Sequence, residues 1–141
     1  MSRLPKWVDN YVAFVLAHRS LPFEFGRHDC CITSCDMIYT ITGIDPASDF
    51  RYVYDSPLSA LRKIKEYGDV DNIAEEVCAK HGWKEIAPNY GTRCDLVCLD
   101  TGGGRKALGW FDLDASKIMT AGMIGLQERP RKETLRAWRI E

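Results

Sequence analysis

The chain has 141 residues, 45% of them apolar and 28% charged, with a net charge of −1 at pH 7. That balance excludes a disordered or membrane-embedded chain and predicts a packed core in a single domain spanning residues 1–141. Near-neutral charge also excludes strong electrostatic capture of nucleic acid. The amino terminus, Met1 to Trp7, lacks the apolar stretch of a secretion signal, and no segment approaches the length of a membrane span. Synthesis and folding in the cytoplasm are therefore expected, and the six cysteines are read as free thiols.

Taken in chain order, Trp7, Val8, Tyr11, Val12, Phe14 and Val15 fall at helical spacing between Pro5 and Arg19. Leu21-Pro22-Phe23 stops this first helix. Asp29 can cap a second helix running to about Thr42, with Gly43 as its left-handed cap. Ser56-Pro57 opens a third, in which Leu58, Leu61, Ile64 and Lys65 lead to Gly68. Asp69 or Asp71 opens a fourth, with Ile73, Val77 and Cys78 on one face and His81-Gly82 at its end. After Pro88 short runs take over: Cys94 to Asp100, Ala107 to Leu113, Ser116 to Ala121 and Met123 to Leu126. Helices first and strands afterwards predict an α+β fold, with N-terminal helices packed on one side of a C-terminal antiparallel sheet. The tail from Arg129 to Glu141 is expected to dock Trp138 onto the body.

The segment Phe25-Gly26-Arg27-His28-Asp29-Cys30 places a cysteine in the first turn of the second helix. A helix N-terminus favours thiolate over thiol and can bring a cysteine pKa from about 8.5 to between about 3.5 and 7.5. Position alone thus marks Cys30 as a nucleophile. Asp29 is its neighbour at the cap, and His28, two residues away, is the nearest group able to take a proton.

This segment, followed by Asp36 and by Thr42-Gly43-Ile44-Asp45, resembles a family of small phage and prophage proteins related to the NlpC-type, papain-like cell-wall cysteine peptidases. Asp95-Leu96-Val97 resembles the Gly-Asp-Leu-Val strand of those peptidases, and Leu108-Gly109-Trp110 the strand after it. Ala137-Trp138-Arg139-Ile140 resembles the ending of the phage family. The resemblance implies a papain-like fold and carries the nucleophile role onto Cys30. In those peptidases the base is a histidine on a His-Val-Gly-Ile-like strand, but the aligned stretch here is Ala107-Leu108-Gly109-Trp110. Ala107 cannot abstract a proton. His18 and His81 read as solvated or helix-terminal residues, which leaves His28 as the substitute.

Two further patterns invite chemistry. Cys31-x-x-x-Cys35 and Cys94-x-x-x-Cys98 have zinc-like spacing. In an extended strand, however, four residues span about 13 Å, too far for two ligands to one ion. No metal and no cofactor is expected, and Cys35, Cys78 and Cys98 read as small buried hydrophobes. Thr101-Gly102-Gly103-Gly104-Arg105-Lys106 lacks the Lys-Ser/Thr of a phosphate loop and reads as a hairpin tip. Arg129, Arg131, Lys132, Arg136 and Arg139 form a local basic cluster, expected to be a solvated or protein-docking edge.

The resemblance implies a virion component: a tail-tip, hub or baseplate structural or assembly protein with a degenerate peptidase fold, contacting other tail-hub proteins. The alternative is an active amidase or endopeptidase that cleaves peptidoglycan stem peptides through Cys30.

Overall fold

Hydrophobic periodicity and caps organise the first half of the chain. The computed structural model describes residues 3–141; Met1 and Ser2, part of the stretch read for a secretion signal, lie outside them. Helix α1 spans Trp7–His18, and α2 spans Cys30–Thr42 between the Asp29 cap and Gly43 in the left-handed region. Helix α3, Pro57–Tyr67, begins in a capping box made by Ser56 and Ser59. Asp69, not Asp71, caps α4 at Val70–Lys80, its side chain accepting from the Val70 N–H. The buried faces differ from expectation on α1 and α3. Val12, Leu58 and Leu61 are exposed, whereas Tyr11, Phe14 and Ala60 are buried. No helix among the described residues is long and apolar enough to cross a membrane.

The second half forms β1 (Glu85–Ile86), β2 (Leu96–Asp100), β3 (Lys106–Phe111), β4 (Lys117–Gly122), β5 (Gly125–Pro130) and β6 (Thr134–Trp138). Together they make one antiparallel sheet in the order β1-β6-β2-β3-β4-β5. The chain is therefore an α+β domain of four helices and a six-stranded sheet among the described residues. Strand boundaries shift from the expected ones for local reasons. Cys94 has a φ of +61° and belongs to a turn, so β2 starts two residues later. Met123-Ile124 is the tip of the β4–β5 hairpin, so β5 begins at Gly125, not at Met123.

Side chains alternate across the sheet and split the core in two. Leu96, Cys98, Leu108, Trp110, Met119 and Trp138 pack with the helices. Val97, Leu99, Phe111, Ile118 and Ala137 face the other way, with Ala107 packed against them. Arg131 covers that second face: its guanidinium lies 4.2 Å from the Phe111 ring centroid and donates to the carbonyls of Pro88, Gly91 and Ala115.

The C-terminal tail departs most from expectation. It does dock Trp138, which is 1% exposed, but it does so as strand β6, inserted between β1 and β2. Its basic residues are not a solvated edge. Arg129 pairs with Glu133 at 2.7 Å, and Arg139 with Asp95 at 3.1 Å. Arg136 pairs with Asp71, Glu75 and Glu85 at 3.2, 3.3 and 2.6 Å, tying β6 to β1 and α4. The Arg136 bond holds the Glu85 carboxyl below its ordinary pKa. Asp71 is also lowered; burial opposes this, but Arg136 and Lys106 outweigh it. A depressed carboxylate contributes stability above its unfolded pKa and loses it as pH falls through the folded one. Arg136→Ala is therefore expected to flatten the acid limb of a melting-temperature profile below about pH 4.

Candidate functional site

The loop before α2 is held by one carboxylate. Asp29, 4% exposed, accepts from the Ile32 N–H at 2.8 Å, the Gly26 N–H at 2.8 Å and the Tyr54 hydroxyl at 2.7 Å. Gly26 is obligatory here. Its φ is +84°, and a Cβ would lie 2.0 Å from the Tyr54 carbonyl oxygen. Asp29 thus caps the helix and pins the 50–55 region against the 23–29 loop, with every bond directed to structure.

Cys30, the first residue of α2, lines a cavity of about 70 Å³ walled by Phe23, Phe25, Phe50, Tyr54, Ile64 and Ile73. Cys30 is half-buried as a residue, but desolvation of its sulfur pushes the thiol up to about 12, with the Leu108 backbone pulling the other way. The depressed pKa expected from the helix start is not found. Magnitudes explain the sign: a helix terminus supplies up to about 2 kcal/mol, whereas full burial can shift a pKa by about 3 to 5 units. Desolvation wins.

The structure does not bring His28 to Cys30. The His28 ring turns toward a separate small cavity with His18, Leu21, Thr33 and Leu126, and its Nδ1 is buried without a partner. The His18 ring lies 6.3 Å from it, stacks on Phe14 at 4.0 Å, and has Nδ1 bonded to the Phe14 carbonyl. His81 ends α4 and packs on Trp83. No histidine lines the Cys30 cavity. Ala107 is removed from it for a second reason: it pairs with Leu99 and packs on the far face of the sheet, whereas its neighbour Leu108 faces the helices. Position 107 does not look at Cys30.

The other residues that carry the family resemblance are equally committed to folding. Asp36 and Asp45 both pair with Arg51, which closes the loop after α2. Asp95 is fully buried and accepts from Thr92 N–H, Ile140 N–H, Arg3 and Arg139 at 2.9–3.1 Å. Trp110 donates to the Tyr11 hydroxyl at 2.8 Å, and Tyr11 donates to Asp112 at 2.7 Å. Tyr54, Phe50 and Arg51 were not singled out in the sequence; they lie in irregular backbone, where no periodicity marks them.

Among the described residues, no group of three or more His, Cys, Asp or Glu side chains could hold a metal ion. Cys31 and Cys35 are buried on α2. Because Cys94 sits in a turn, the strand-length argument does not apply to it. Cys94 and Cys98 are nonetheless both buried in the core, each thiol pushed up to about 12 by that burial. The glycines of 102–104 form the β2–β3 hairpin tip, all with positive φ, and Lys106 beside them pairs with Asp71.

A family model described as a domain of unknown function (DUF6950) matches residues 2–140. The chain belongs to that family. No curated protein and no solved structure matches it. In this DUF6950 chain the helix-entry cysteine borders an apolar cavity without a histidine on its wall.

Proposed function

We propose that the chain is a structural or assembly protein of a phage or phage-like tail tip, built on a papain-like, NlpC-type scaffold whose cysteine does not turn over substrate. The setting rests on the resemblance of the Gly26-Arg27-His28-Asp29-Cys30 segment and its companion motifs to small phage proteins. The non-catalytic part is supported by one observation: Cys30, half-buried as a residue, lines an apolar cavity that no histidine lines, and desolvation there raises its thiol pKa. Acyl transfer needs a thiolate and a proton carrier within about 3 Å, and a raised thiol pKa with no histidine on the cavity wall argues against both. Its partners are then other hub or baseplate proteins, and its place is the virion.

One feature favours the alternative, a cysteine hydrolase acting on peptidoglycan peptides: the Leu108 backbone acts on the Cys30 thiol in the direction that lowers its pKa, the sense that would stabilise negative charge. Iodoacetamide separates the two. At pH 6.5 Cys30 is expected to react more slowly than an ordinary exposed thiol; a faster reaction overturns the non-catalytic reading. Co-purification with a tail-hub protein tests the setting, which falls if the chain binds none.

A further inference from the structure

The cavity beside Cys30 is more selective than a packing defect. Its walls come from the 23–25 loop, the 50–54 segment, α3 and α4, with Phe23, Phe25, Phe50, Ile64, Val70 and Ile73 presenting carbon. The polar side chains at its border are committed elsewhere. Asp29 is saturated by three donors, one of them the Tyr54 hydroxyl. Lys63 pairs with Glu66 at 3.0 Å and sits 5.9 Å from the Phe50 and Tyr67 ring centroids. A buried water needs two to four polar partners, and the wall leaves only the Cys30 and Cys31 thiols, both weak hydrogen-bonding groups, to offer any.

We propose that this cavity is a binding site for one branched aliphatic group of isobutyl size. Its volume of about 70 Å³ is roughly half that of the about 150 Å³ apolar cavity that accepts benzene, so an aromatic ring is too large for it. A hydroxyl or peptide attached to the group stays outside, since the Phe23 and Phe25 rings on the cavity wall, half-buried and meeting edge to face at 4.9 Å, offer it no polar partner. The thiol presents a neutral sulfur to the ligand, a soft apolar contact. The group can come from a free small molecule or from a leucine-like side chain of a partner polypeptide. The inference holds independently of the tail-tip reading, since it requires neither a phage partner nor turnover.

Methyl-resolved NMR of the full chain tests it. Isobutanol is expected to shift the Ile64, Val70 and Ile73 methyls saturably, leaving Val97, Leu99 and Ile118 on the far face unmoved; benzene is expected to produce no saturable shift. Tighter binding of N-acetyl-leucinamide than of isobutanol assigns the site to a polypeptide side chain, and the reverse order to a free ligand. Shifts that never saturate, that spread equally to the far face, or that benzene reproduces overturn the proposal. Ala60→Leu fills the cavity and is expected to abolish the response. A readout without a variant is protection of Cys30: isobutanol at about four times its dissociation constant should slow modification by N-ethylmaleimide about fivefold, and an unchanged rate overturns the site.

Discussion

Asp95→Ala is expected to lower the unfolding free energy by about 4 kcal/mol in urea denaturation, the largest effect of any single polar substitution in the chain. The carboxylate is fully buried and joins three segments distant in sequence: Arg3 at the amino end, Thr92 before β2, and Arg139 with Ile140 after β6. Removing it strands two guanidinium groups, one of them largely buried, and two N–H donors. Asp95→Asn should lose nearly as much, because its amide turns two more N–H bonds toward groups that already donate. A loss below about 1 kcal/mol, the value of an exposed ion pair, would show that Asp95 is not the clasp described.

Asp29→Ala is expected to lower stability by about 3 to 4 kcal/mol and to expose Cys30. The helix loses its cap, worth about 1 kcal/mol, and the Gly26 N–H and Tyr54 hydroxyl lose their acceptor, at about 1 to 1.5 kcal/mol each. Tyr54→Phe removes one of these bonds and should cost about 1 to 2 kcal/mol. Differential scanning calorimetry gives the order, and mass-spectrometric mapping of alkylated Cys30 gives the exposure. Were Asp29 instead a catalytic residue with little structural role, Asp29→Ala would melt like the parent and leave Cys30 as slow to alkylate as before.

Both substitutions touch residues that the sequence marks strongly, yet for a reason it does not reveal. Asp29, Asp36, Asp45, Asp95 and Trp110 stand in the motifs that resemble peptidases. Each is engaged in holding the fold, through Tyr54, Arg51, the two chain ends or Tyr11.

The helix starts were legible because their causes are local. Asp29, Ser56 and Asp69 cap the N–H groups of the turn that follows, and Gly43 supplies a positive φ where α2 ends. The order of helices and strands, and so the α+β class, followed from periodicity in the same way. Strand β6 was not legible. Alternating charges make its sequence resemble a solvated tail, and only Asp71 and Glu75, brought in from α4, and Glu85, from β1, neutralise Arg136 there.

The site divides along the same line. That Cys30 opens a helix behind an aspartate cap could be read directly from neighbouring residues, since capping acts over three or four positions. Whether its thiol ionises could not, because desolvation is set by Phe23, Phe50, Ile64 and Ile73, which the fold gathers from across more than forty positions of chain. Nor could the facing of Ala107: a one-residue change of strand register turns a side chain to the opposite face, and pairing with Leu99 places this one away from Cys30. Local backbone chemistry sets where a cysteine stands; long-range packing and register set what surrounds its sulfur, and here they line its cavity mainly with apolar side chains.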